Sequence, residues 1–115
     1  MATVLIDARN VLRSRWPNLE EHELVDRVRA WAERHGHRVV VVFDGRAPGG
    51  VVGAQALDER TTLVGSGAES ADEWLIRETP SHPDAWLVTS DRALRDAAGA
   101  KHVTGGGGFL QELEE

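Results

Sequence analysis

Three apolar runs in this chain end on the same kind of residue. Val4, Leu5 and Ile6 lead into Asp7; Val39 through Phe43 lead into Asp44; Trp86, Leu87 and Val88 lead through Thr89 and Ser90 into Asp91. None alternates between apolar and polar positions, and short runs without alternation read as strands covered on both faces, as in a parallel sheet. Strands are expected over 3–7, 38–43 and 85–89, with weaker ones over 61–65 and 101–104. Between them the period lengthens. Leu24, Val28, Trp31 and Ala32, with Val25 beside them, make one apolar stripe among Glu, Arg and His, which predicts a helix over 20–35 capped by Gly36. Shorter helices are expected over 71–78, stopped by Pro80, over 92–98, stopped by Gly99, and in the terminal FLQELEE. The glycine-rich stretch that opens the 45–59 segment and the run Gly105 to Gly108 read as loops, and the segment after Asp7 reads as irregular.

Strands alternating with helices predict an α/β fold: a three-layer sandwich with a central, mainly parallel sheet of about five strands and helices on both faces. In such a sheet the C-terminal strand ends form one rim, and ligands bind there where the strand order reverses. Asp7, Asp44 and Asp91 would share that rim, joined by Glu69 and Asp72 at the start of the helix after the 61–65 strand. Any one of them could simply cap a helix, because acids are favoured in a first turn. Gathered together they would repel and raise one another's pKa values, and such a set calls for a hard divalent cation, Mg²⁺ or Mn²⁺. Asn10 can hold a carboxylate or a metal-bound water through its NH₂. Thr89 and Ser90 place hydroxyls beside Asp91, where Ser90 could equally cap the next helix.

A length of 115 residues allows one domain, 1–115. The absence of cysteine excludes disulfides and thiolate metal sites. With no signal-peptide pattern and no apolar run of roughly 18–20 residues, a cytoplasmic protein without a membrane partner is the expectation. The net charge of −6 argues against a broad basic surface for nucleic acid, but suits carboxylates that hold divalent ions. Arg9, Arg13, Arg46 and Arg92 lie near the rim in sequence and are candidate phosphate contacts, although each reads first as a solvated side chain. Trp16 could stack on a base, with packing against the following helix the favoured reading; Trp31, Trp74 and Trp86 fall on core-facing positions. The five histidines share no metal-ligand spacing and read as surface residues.

The segments LIDARNVL with RWPNL, VVVVFDG, ESADEWL and LVTSDRAL, in that order, resemble the NYN domains of the PIN-like nuclease superfamily, and within it the YacP-like branch. Each motif alone is weak; the likeness lies in four of them at strand or helix ends, across nearly the whole chain. The resemblance implies a PIN-like sandwich and a metal-dependent endoribonuclease that hydrolyses RNA phosphodiester bonds. It implies Asp7, Asp72 and Asp91 as catalytic, these three with Asp44 as the Mg²⁺ or Mn²⁺ ligands, and Asn10, Ser90 and Glu69 as supporting residues. Ala8 and Arg9 depart from it, since the family often has Gly and an aromatic or small residue there; an arginine so placed could contact a phosphate or crowd the site.

Single-stranded RNA is the expected partner, with a ribosome, an antitoxin or a second copy of the chain as further candidates. The alternative function is a non-catalytic PIN-like module that binds RNA or a protein partner. A receiver-type phosphoacceptor fits poorly, because Asp7 lacks an acidic neighbour and Lys101 precedes the core of the last strand. The glycine run lacks Walker spacing and a following Lys-Ser/Thr.

Overall fold

The unbroken apolar runs form the middle of a sheet. The computed structural model describes residues 2–114. Its elements are β1 (Thr3–Asp7), α1 (Ala8–Arg13), α2 (Glu21–His35), β2 (Arg38–Phe43), β3 (Gly53–Ala56), β4 (Thr61–Gly65), α3 (Ala71–Glu78), β5 (Trp86–Val88), α4 (Arg92–Ala98), β6 (His102–Thr104) and α5 (Gly106–Leu113). A single 3-10 turn, Thr79–Ser81, extends α3 across Pro80. Glu115, the last residue of the predicted terminal helix, lies outside the described residues.

The sheet has six strands in the order β3-β4-β2-β1-β5-β6. β1 lies between β2 and β5 and is parallel to both; β2 pairs in parallel with β4, and β5 with β6. The chain leaves β1 toward one edge and returns at β5 to its other side, so the strand order reverses at β1. Alternate residues of each strand supply opposite faces. Val4, Ile6, Val39, Val41, Phe43 and Val88 pack with α1, α2 and α5, whereas Leu5, Val42, Val64 and Leu87 pack with α3 and α4. This produces the expected three layers.

Three segments depart from the sequence reading. The sixth strand, β3, is antiparallel to β4 and lies in the later part of the 45–59 segment, for which the sequence predicts no element. Its residues GAQA are all exposed, so it exists through backbone pairing with β4 and carries no hydrophobic signal. The segment after Asp7 is helical at once, with Asp7 as its N-cap. The glycine run is mostly helix: Gly105 is the N-cap of α5, and Gly106, Gly107 and Gly108 form its first turn. That end is anchored by Phe109, whose ring meets Trp31 edge-on at 5.1 Å.

The tryptophans divide. Trp31 is buried, and Trp74 and Trp86 are half-buried against the two cores. Trp16 does not pack on α2: it is 85% exposed. Among the described residues, no helix is long and apolar enough to cross a membrane.

Candidate functional site

Because the strands run in parallel, β1 and β2 deliver Asp7 and Asp44 to the same rim; Asp7 pairs with Val42, two residues before Asp44. A cleft of about 440 Å³ opens there, lined by Asp7, Asp44, Asp72 and Asp91 together with Arg9, Arg13, Asn10 and Ser70. Asp7 is only 5% exposed. The Thr89 hydroxyl donates to its Oδ2 at 3.1 Å, and the Asn10 backbone N–H to its Oδ1 at 3.5 Å. The same Thr89 oxygen accepts the Asp91 N–H at 3.2 Å, which ties the end of β1 to the turn that carries Asp91. Asp91 Oδ1 caps α4 through the Leu94 N–H at 3.1 Å. Asp44 Oδ1 accepts the Ala71 N–H at 2.9 Å and so fixes the start of α3, the helix that presents Asp72. These bonds engage one oxygen each of Asp44 and Asp91 and both oxygens of Asp7, and every carboxylate oxygen so engaged keeps a further lone pair. Capping and lining the cleft are therefore compatible roles for the same residue.

The acids crowd one another. Asp7 is pushed up to about 6, chiefly by burial; the Thr89 and Asn10 hydrogen bonds oppose the rise, and the charges of Asp72 and Asp44 add to it. Asp72 is also raised, first by burial and then by Asp91 and Asp44, with Arg9 acting against them. Arg9 Nη1 stands 3.6 Å from Asp44 Oδ2. A buried carboxylate, Asp7, ringed by the exposed acids Asp44, Asp72 and Asp91 fits a hard cation, whose charge would offset both the burial and the repulsion. No three of the rim carboxylates come within 4.8 Å of one another. Among the described residues that spacing is met by Glu20, His22 and Glu23 at the start of α2, a surface group also compatible with a metal ion. A rim ion would therefore be held partly through water, as Mg²⁺ commonly is.

Asn10 is locked from behind. Its Oδ1 accepts the Ser90 N–H at 2.9 Å, and the Ser90 hydroxyl accepts the Gly106 N–H at 2.9 Å. With its oxygen so engaged, the group Asn10 can offer the cleft is its NH₂. A Cβ on Gly106 would stand 2.4 Å from Asn10 Oδ1, whereas one on Gly107 would meet only Ser14 Cβ at 3.9 Å. Gly106→Ala is therefore expected to destabilise the protein by about 1–3 kcal/mol through overpacking. Gly107→Ala is expected to be neutral or stabilising by up to about 1 kcal/mol, since Ala favours the helix. Urea unfolding of both variants tests the lock; equal shifts would rule it out.

Other expected site residues lie elsewhere. Glu69 pairs with Arg77 and does not line the cleft; nor do Arg46 and Arg92. Ser90 supports Asn10 and does not line the cleft itself. Ser70 lines the cleft without having been among the expected site residues, although its spacing to Glu73 is that of a capping box, which the structure contains. The Thr89–Asp7 bond, spanning 82 positions, leaves no trace in the sequence.

Fold and rim together define a doubly wound α/β protein whose acidic cleft lies at the switch point of its sheet. Solved structures that share this fold include two of Rae1 (YacP) from Bacillus subtilis. One is 21% identical, with a TM-score of 0.73, covering 99% of this chain and 74% of that one. The other, a tryptophan-to-leucine mutant, is 22% identical, with a TM-score of 0.74, covering 99% and 76%. The fold is thus YacP-like. No family model and no curated protein matches the chain by sequence.

Proposed function

We infer that the chain is a metal-dependent endoribonuclease of the NYN, PIN-like kind, a single domain over 1–115 that hydrolyses RNA phosphodiester bonds in the rim cleft. The observation that carries this reading is Asp7: a buried carboxylate at the end of the central strand, raised in pKa by burial and by two neighbouring acids. The YacP-like fold and the sequence resemblance support the same class.

In this reading Asp7 and Asp91 are the central ligands of Mg²⁺ or Mn²⁺, with Asp72 and Asp44 completing the set directly or through water. Such an ion supplies Lewis acidity toward a phosphate oxygen and lowers the pKa of a bound water. The protein's own residues do the rest. Arg9 and Arg13, both lining the cleft, suit the non-bridging oxygens of the substrate through their planar forks. Asn10 orients an oxygen ligand through its NH₂. Thr89 holds Asp7 in place while Asp7 is ionised. The net charge of −6 favours RNA brought to the cleft by a partner, such as a ribosome in the cytoplasm.

The test is incubation of the purified protein with end-labelled single-stranded RNA, with Mn²⁺ and with a chelator. Cleavage is expected with Mn²⁺ and none with the chelator. RNA that is bound but left intact at millimolar Mn²⁺ would overturn the enzyme reading in favour of a binding module.

A further inference from the structure

A second cleft, of about 330 Å³, shares Arg9, Arg13 and Asp44 with the first. Its character differs. Leu12, Leu19 and Phe43 give it an apolar component, and Asn18, the two arginines and the acids Glu21 and Asp44 give it a polar one. The loop that walls it, between α1 and α2, is fixed from within. With its amide turned so that the NH₂ faces the backbone, the orientation its surroundings favour, Asn18 donates to the carbonyl oxygens of Leu12 at 3.0 Å and Arg15 at 2.9 Å, closing the C-terminal end of α1. In that loop, between the cleft residues Arg13 and Asn18, stands Trp16, the most exposed large apolar side chain among the described residues. Exposing an indole to water to this extent sacrifices burial that a core position would supply. An exposed aromatic in a loop whose residues on either side, Arg13 and Asn18, line an arginine-bearing cleft is the composition that holds single-stranded nucleic acid, because bases stack on the ring and phosphates pair with arginine.

We propose that this second cleft, with Trp16 at its edge, is a nucleotide subsite that holds the residue of single-stranded RNA next to the scissile phosphate. The inference rests on the ribonuclease reading only for the identity of that neighbouring phosphate. Arg9 and Arg13 serve both clefts, so one strand can run from the acidic cleft into the apolar one while its phosphates stay on the same pair of cations. The base beyond the cut then stacks on Trp16, with Leu12 and Leu19 as the apolar floor. Recognition of this type depends on a π-face and not on a base-pairing edge, so it tolerates any base.

The experiment measures equilibrium binding of a fluorescent single-stranded RNA oligonucleotide by anisotropy, with chelator present so that nothing is cut. Trp16→Ala, at a solvent-exposed position, is expected to unfold like wild type and to bind at least about fivefold more weakly, with Trp16→Phe retaining most of the affinity. Oligonucleotides with a single abasic position, scanned along the strand, should lose affinity for the wild type at one position and show no such loss with Trp16→Ala. Wild-type affinity in Trp16→Ala, or equal binding of intact and abasic strands, overturns the subsite. Cleavage with Mn²⁺ is scored separately. A protein that cuts RNA with no dependence on Trp16 loses the subsite and keeps the ribonuclease reading. One that discriminates abasic strands through Trp16 but never cuts keeps the subsite and loses that reading.

Discussion

Asp7→Asn is expected to make the metal-free protein more stable and to abolish its response to Mn²⁺. In the wild type the Asp7 carboxyl is raised from 3.8 to about 6. A folded-state pKa above the unfolded value means that the native protein holds a proton the unfolded chain has already released. Stability therefore falls as pH rises from about 4 to about 6 and then levels off, with a total cost on the order of 3 kcal/mol for a shift of about two units. Asparagine carries no charge to desolvate and remains a good N-cap, so the Asn10 N–H keeps its acceptor. In chelator at pH 7.5 the variant should unfold at higher urea than wild type, by up to about 3 kcal/mol, and the gap should close as pH approaches 4. Mn²⁺ should stabilise the wild type by mass action and leave the variant unchanged. RNA cleavage should fall at least about a hundredfold, beyond the loss typical of residues that only orient metal ligands. Asp91→Asn, which keeps the cap on the Leu94 N–H, should likewise lose the Mn²⁺ response. A less stable Asp7→Asn at pH 7.5, or cleavage at wild-type rate in both variants, would remove Asp7 and Asp91 from the centre of the site.

Phe109→Ala is expected to destabilise the protein more than Gly106→Ala does. Phe109 is 2% exposed, and its ring lies edge-on against Trp31. Trp31 in turn donates its indole N–H to Glu112 Oε1 at 3.3 Å, so α2 and α5 are joined twice. Truncation leaves a cavity in the face that also holds Val4 and Ile6, at a cost of about 3–5 kcal/mol. The consequence reaches the rim, because α5 presses Gly106 against Asn10. Urea unfolding should show the lower midpoint with an unchanged slope. Mn²⁺ binding should weaken together with it at temperatures where the variant is still folded. A cost under about 1 kcal/mol would show that α5 contributes little to the core.

How much of the fold and site is legible in the sequence depends on what kind of force sets each feature. The buried parallel strands and α2, α3 and α4 announce themselves, since burial on two faces or on one stripe leaves a periodic apolar record. The convergence of Asp7, Asp44, Asp72 and Asp91 is also readable, because parallel topology alone puts strand ends on one rim. β3 is not, as Gly53–Ala56 bury no side chains and pair only through their backbones. The start of α5 reads as a loop because three glycines argue against a helix on propensity, while the contact between Gly106 and Asn10 and the Phe109 anchor favour one. Size and apolarity assign Trp16 to packing, and the loop fixed by Asn18 holds it out. Nearness in sequence draws Arg46 and Arg92 to the cleft, but it does not say toward which side a loop or a first helical turn points.

The placement of β1 between two parallel neighbours has a consequence for how the chain can change length. Dropping or adding one residue within Thr3–Asp7 would exchange Leu5 for Val4 and Ile6 across the two hydrophobic layers. It would also withdraw or overextend the carboxylate by about 3.3 Å, one strand step. The acid could not be kept at the rim by any adjustment of a loop, because both flanking strands fix the ladder. Indels compatible with an intact rim are therefore confined to the far ends of the strands and to the outlying β3 hairpin, and the central strand acts as a ruler for the acidic cleft above it.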